Sequence, residues 1–200
     1  ITGSMYDTIE QKVQPFVLNL DTAGNVNQFK EIEYLSDAAP TGITGDGLSI
    51  YIYGYTVDSV LNTNSILIRL DFNLDTAWTS ILDQGRFETA RSGIINNIGG
   101  ITLTASATSA GNSNGNILLY KYDSTGSILF VETIAGFGNE PFSSSLIETQ
   151  DNGFFIVSTT YNNLNHSSAC AFKTDSLGEI LTSIVLTANP TLAIYPNPSN

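Results

Sequence analysis

Six of the eleven aspartates in the chain are followed by Ser or Thr and then by Ala, Ile, Leu, Val or Thr, where composition alone gives about one. The hydroxyls so placed are Thr8, Thr22, Ser59, Thr76, Ser124 and Ser176. Aspartate opening a turn bonds the backbone ahead of it, and the residue after it is left in water, where a covalent group has room. A second set is acidic: Asp37, Glu88 and Glu140 each follow a repeated aspartate by about 16 residues, so equivalent loops of a repeat would bring them to one surface, suited to a cation or a sugar. Asp71-Phe72-Asn73-Leu74-Asp75 offers oxygens at alternate positions. It lacks the glycine and the distal glutamate of a calcium loop, and reads as a turn with solvated carboxylates. His166, the only histidine, has no second histidine or cysteine beside it to make a zinc site. Cys170, the only cysteine, sits in an apolar run and reads as a buried, inert thiol. No G-x-S-x-G elbow marks a nucleophile. These residues therefore assign no catalytic, metal or cofactor set.

The elements that must position them are hairpins. LLYKYDSTGSILF (118–130) is an apolar run, a polar turn and a second apolar run, and FVLNLDTAGNV, ILIRLDFNLDTAW and CAFKTDSLGEIL repeat it. The turn aspartates Asp21, Asp71, Asp123 and Asp175 are spaced by roughly 50, 52 and 52 residues, the period of propeller blades. Three of the turns carry Gly24, Gly126 or Gly178 where a positive φ is wanted; Leu74 in the second predicts a different turn there. Strand-like runs come four to a repeat, grouped as 49–97, 100–149 and 153–187, the last with three runs, after an N-terminal unit. The expectation is all-β: a β-propeller of about 50-residue, four-stranded blades, 1–188, about four blades of a larger ring. A β-sandwich also uses short strands but has no reason to repeat one hairpin at a fixed period. The unfinished last unit predicts an open edge, completed by residues upstream of Ile1. Tyr51, Tyr53, Tyr55 and Trp78 either present an aromatic surface to carbohydrate or fill the spaces between blades.

Composition excludes some classes of partner. The net charge is −12, and the seven Lys and Arg residues do not cluster, which leaves nothing to neutralise a nucleic-acid backbone or an anionic membrane surface. No apolar run reaches the ~20 residues of a transmembrane helix. The chain opens on strand-like ITGSM with no initiator Met, and reads as a segment of a longer precursor.

Two stretches resemble known families. Asp151 to Thr160 with Lys173 to Gly178, and Gly100 to Thr108 with Lys121 to Gly126, are similar to the extracellular propeller repeats of secreted Bacteroidota proteins. The tail LAIYPNPSN, with Tyr195, Pro196, Asn197 and Pro198, resembles the opening of the C-terminal sorting domain of type IX secretion cargo, which makes 189–200 a linker and the start of that domain. The aspartate-led tripeptides are similar to the O-glycosylation signal of exported Bacteroidota proteins. These resemblances imply export across the outer membrane by the type IX machinery, an extracellular or cell-surface location, and glycans at the six hydroxyls. The expected function is a noncatalytic propeller for adhesion, glycan binding or assembly with envelope proteins. The alternative is the accessory propeller of a secreted hydrolase whose catalytic domain lies upstream.

Overall fold

The computed structural model describes residues 1–34, 36–83, 87–108, 115–134, 139–161 and 167–186, with backbone only for 139–144, 160–161, 167 and 184–186. Among them every regular element is a strand, and the fifteen strands form four antiparallel sheets in chain order. The first holds β1 (Thr2–Asp7), β2 (Lys12–Leu20) and β3 (Val26–Glu31). The second holds β4 (Ala38–Gly45), β5 (Ile50–Val57), β6 (Thr63–Leu70) and β7 (Thr76–Leu82). The third holds β8 (Phe87–Ile95), β9 (Ile101–Thr108), β10 (Gly115–Tyr122) and β11 (Ile128–Ile134). The fourth holds β12 (Asn139–Glu148), β13 (Phe154–Tyr161), β14 (Ser167–Thr174) and β15 (Ile180–Leu186). Each is a plain meander in which neighbours in sequence are neighbours in the sheet. The all-β expectation is met.

The sheets stack in order. β8 lies against β4, β5 and β6, and β12 against β8, β9 and β10, so the leading strand of each sheet rests on the one before. The side-chain period of two then sends alternate residues to opposite neighbours. Counting back from each turn aspartate, Ile68 and Ile66, Tyr120 and Leu118, and Phe172 and Cys170 are buried against the preceding sheet. The residues between them, Leu67 and Leu119, are buried against the following one, as Val17 is from the first sheet. Among the described residues there are accordingly three apolar clusters, one at each junction. Strands of the second and third sheets, covered on both faces, show near-continuous burial in β6, β9 and β10. Each leading strand is bulged, beside Thr41, Arg91 and Ser144, and β12 shifts register a second time between Asn139 and Phe142; such bulges increase the local twist.

The grouping of strands differs from the sequence expectation by one strand. Phe87–Ile95 and Asn139–Glu148 begin the sheet that follows rather than ending their own, because the Asn96–Gly100 and Thr149–Gly153 reversals are hairpin turns within a sheet. The last sheet therefore has four strands. The first has three, equivalent to the second, third and fourth strands elsewhere, and β1 lines an edge with no counterpart of β4, β8 or β12 among the described residues.

Candidate functional site

The turns that join the last two strands of every sheet share one construction. The aspartate N–H donates to the carbonyl four residues on, and its own carbonyl accepts from the residue three on, in all four sheets. Its Oδ1 accepts two further backbone N–H bonds: from Ala23 and Asn25 to Asp21, Asn73 and Asp75 to Asp71, Thr125 and Ser127 to Asp123, and Leu177 and Glu179 to Asp175, all between 2.8 and 3.0 Å. The fourth turn residue takes positive φ, at Gly24, Leu74, Gly126 and Gly178. The second turn is thus the same turn, contrary to the expectation from Leu74. A left-handed non-glycine residue costs about 1–3 kcal/mol. Burying a leucine returns about 1.5–3 kcal/mol, and Leu74 is 1% exposed in the cluster between the first two sheets. Burial is large enough to offset the strain.

These turns lie at one end of the stack. Gly126 packs on Trp78 of the preceding sheet and Gly178 on Phe130 and Glu132, while Lys30 reaches Asp75 at 2.9 Å. The turns between first and second strands are at the same end. Asn97 donates its N–H to Glu148 at 3.1 Å and its side-chain amide to Asn152 at 2.8 Å, which ties the third sheet's turn to the fourth's. Lys173 holds Asp151 at 2.8 Å. That ion pair, with Thr149 Oγ1 and the Gly153 N–H, keeps the Asp151 carboxyl far below the usual carboxylate range. Asp21 is lowered by the Asn25 amide and backbone, Asp123 by the Thr125 hydroxyl and the Ser127 N–H, and Asp46 mainly by the Leu48 N–H. The carboxylates of this face are therefore engaged as turn anchors.

All six hydroxyls of the aspartate-led tripeptides are exposed. Thr22, Ser124 and Ser176 follow the turn aspartates directly, and Thr76 opens β7 at the same end of the stack. Thr8 and Ser59 occupy second-to-third-strand turns at the opposite end. The Ser59 turn repeats the Asp21 construction: Asp58 accepts from the N–H groups of Val60 and Asn62 and from the Asn62 amide. The shared four-residue spacing of Asp21 to Asn25 and Asp58 to Asn62 is the sequence signal for it.

Two members of the acidic set, Asp37 and Glu88, are turned to different environments. Asp37 is exposed at the head of β4, its carboxylate accepting the Val13 N–H of the first sheet at 2.6 Å and its carbonyl accepting from Val57 and Thr56. Glu88 is fully buried, opposite Ala107; its register counterpart in the second sheet is Ala38, opposite Thr56. One residue of register turns a side chain to the other face, which separates Asp37 from Glu88. Glu140 opens β12, with its side chain outside the described residues, as are His166 and the Tyr195–Pro198 motif. Among the described residues no group of three His, Cys, Asp or Glu side chains is placed to hold a metal ion.

The aromatic residues sit at a junction. Tyr51 and Tyr53 are buried between the second and third sheets, where Trp78 meets Tyr51 edge-on at 5.9 Å and stacks on Tyr122 at 6.2 Å. Cys170 is a buried free thiol in the last cluster, and burial raises its pKa. At the turn end of the first junction an apolar cleft of about 600 Å³ opens between β2 and β4, lined by Ile1, Leu18, Leu20, Ile43, Ile50 and Phe72. No helix is long and apolar enough to cross a membrane among the described residues. Compared with models of known protein families and with curated proteins, the chain matches none.

Proposed function

We propose that the four sheets are blades of a β-propeller, an arc of a ring larger than four, and that the chain is a noncatalytic, secreted or cell-surface binding scaffold. The observation that carries this reading is the repeated junction: each leading strand rests on the preceding sheet, so equivalent turns are presented on common faces. Turns whose aspartates are consumed by their own amides make such a face rigid, and a rigid face of loops suits recognition of glycans or of other envelope proteins. Export by type IX secretion rests on the Tyr195-Pro196-Asn197-Pro198 motif, and glycosylation of Thr8, Thr22, Ser59, Thr76, Ser124 and Ser176 on their tripeptides and their exposure. A glycan array and a pull-down from native envelope test the binding reading: retention on a surface polysaccharide or envelope protein is expected, and silence in both overturns it. Cell fractionation tests the export reading, since loss of the type IX machinery should strand the protein in the periplasm. Peptide mapping of native protein tests the glycans, and six unmodified peptides would end that idea.

A further inference from the structure

Leu61 is held in a strained conformation that no burial offsets. Among the described residues Gln11, Leu61, Leu74 and Asn152 are the non-glycine positions with positive φ. Asparagine enters the left-handed region readily, and Leu74 is offset by its burial. Leu61, at φ 67°, is 77% exposed, and Val60 beside it is 72% exposed. It holds the turn position taken by Gly24, Gly126 and Gly178, in a turn of the same construction around Asp58. Glycine there would relieve the strain and lose no packing. An outlier left uncompensated in this way points to a use outside the fold. The second sheet has sheets of this chain against both of its faces, so its tip is not exposed by standing at an end of the array.

The equivalent turn of the first sheet presents Ile9, 89% exposed. Asp37 ties the two turns at their bases: its carboxylate accepts the Val13 N–H at 2.6 Å, and its carbonyl accepts the Val57 N–H at 2.8 Å. Asp7, Glu10, Asp37 and Asp58 flank the three aliphatic side chains, and Lys12, 3.5 Å from Glu10, is the one cation in either turn. The Ser59 turn cannot receive a strand, because the N–H groups of Asp58, Val60, Leu61 and Asn62 are all bonded within it. A partner is therefore held by side chains, aliphatic ones at the tips and basic ones at the carboxylates. A helix whose apolar stripe is bordered by Lys and Arg supplies both. We propose that Ile9, Val60 and Leu61 form a docking ridge for a basic amphipathic helix of a partner protein. A second copy of this chain does not fit, since its described elements include no helix and its seven basic residues do not cluster. The flanking carboxylates disfavour an anionic bilayer. This goes beyond the scaffold reading, which names no partner for this end of the stack.

Fluorescence anisotropy tests it with the 200-residue chain, produced without glycans so that Thr8 and Ser59 are unmodified. The probe is a labelled helical peptide of about 18 residues, with a leucine stripe and lysine elsewhere. Binding that weakens in high salt is expected. Val60→Ser combined with Leu61→Gly should weaken it at least about tenfold, as the loss of two buried aliphatic side chains implies. A peptide with glutamate in place of lysine, and one scrambled out of helical period, should not bind; equal binding by either overturns the proposal. No binding of the leucine/lysine peptide, or binding that the double variant leaves unchanged, also overturns it. Phosphatidylcholine vesicles retained by wild type and released by the double variant would assign the tips to a bilayer and overturn it as well. Leu61→Gly alone gives a second readout: its melting temperature should equal or exceed that of wild type, since the strain is gone. A lower one would show that Leu61 packs within the fold, and the reading would fall. Val60→Ser alone repeats the binding test if the double variant loses its β-sheet spectrum. Failure here leaves the scaffold reading standing, because its test is retention on a polysaccharide or an envelope protein.

Discussion

Trp78 fills the space that a side chain at position 126 would need: a Cβ on Gly126 would lie 2.8 Å from the indole, whose N–H points to the Ser124 carbonyl at 3.4 Å. Glycine is required there twice, once for its φ of +90° and once for the neighbouring sheet. At Gly24 only the first requirement holds, since nothing lies within 4 Å. Gly126→Ala should therefore destabilise the chain by about 1–3 kcal/mol more than Gly24→Ala, the usual range for overpacking. Urea denaturation of the two variants decides it, and equal losses would refute the packing role of Trp78.

Leu74 provides the converse case, a left-handed residue kept for its side chain. Leu74→Ala retains the strain and loses the burial, an expected cost of about 2–5 kcal/mol. Leu74→Gly loses the burial but relieves the strain, and should be about 1 kcal/mol less harmful. If alanine proves the better substitute, the turn has relaxed out of the left-handed conformation.

Acid should weaken the turn face first. Asp151, Asp21 and Asp123 have folded pKa values below their unfolded ones. Such groups contribute stability that is complete above the unfolded value near 3.9 and is lost as pH falls through the folded value. Denaturation midpoints should be flat above about pH 5 and fall below about pH 4. Asp151→Asn should lower the plateau and shallow the fall; an unchanged acid slope would show that the Lys173 pair does not couple to folding.

Alkali acts through a different set. Burial raises Tyr122 to about 12, with the Ser80 hydroxyl 3.3 Å from its own, and also raises Tyr34, Tyr51 and Tyr53. The stability gained by keeping these phenols neutral is complete below the unfolded value near 10 and is lost as pH rises towards the folded one. Tyrosinate absorbance from the buried rings should appear together with loss of the β-sheet spectrum. Full ionisation with the sheets intact would contradict their burial.

Cys170, 3% exposed at the last junction, should resist thiol reagents in the native chain and react when the fourth sheet opens. Rapid labelling without denaturant would mean that this junction is loose.

The repeat was legible in the sequence because turn chemistry is local: an aspartate followed three residues on by glycine identifies its hairpin without any knowledge of the neighbours. Leu74 was misread for the same reason. Its justification lies in Val17 and Ile32, far away in the chain, and no local rule contains them. The grouping of strands slipped by one because Gly99-Gly100 signals a reversal equally well inside a sheet and between sheets; only the pairing of Ile95 with Ile101 shows which. Asp37 and Glu88 looked alike by spacing, but a single residue of register, invisible to a count, sends one to water and buries the other.

Because the extensive contacts between sheets, among the described residues, are all between immediate neighbours in the chain, the free energy of the array is close to a sum of per-repeat and per-junction contributions. Such a molecule can lengthen by duplicating one segment of about 50 residues, since the new copy brings both halves of the junction with it. The same locality divides it in unfolding. Loss of the three-stranded first sheet would leave the junctions beyond it untouched, so the array is expected to melt as a row from its ends, and its cooperativity reaches only as far as each sheet's grip on the next.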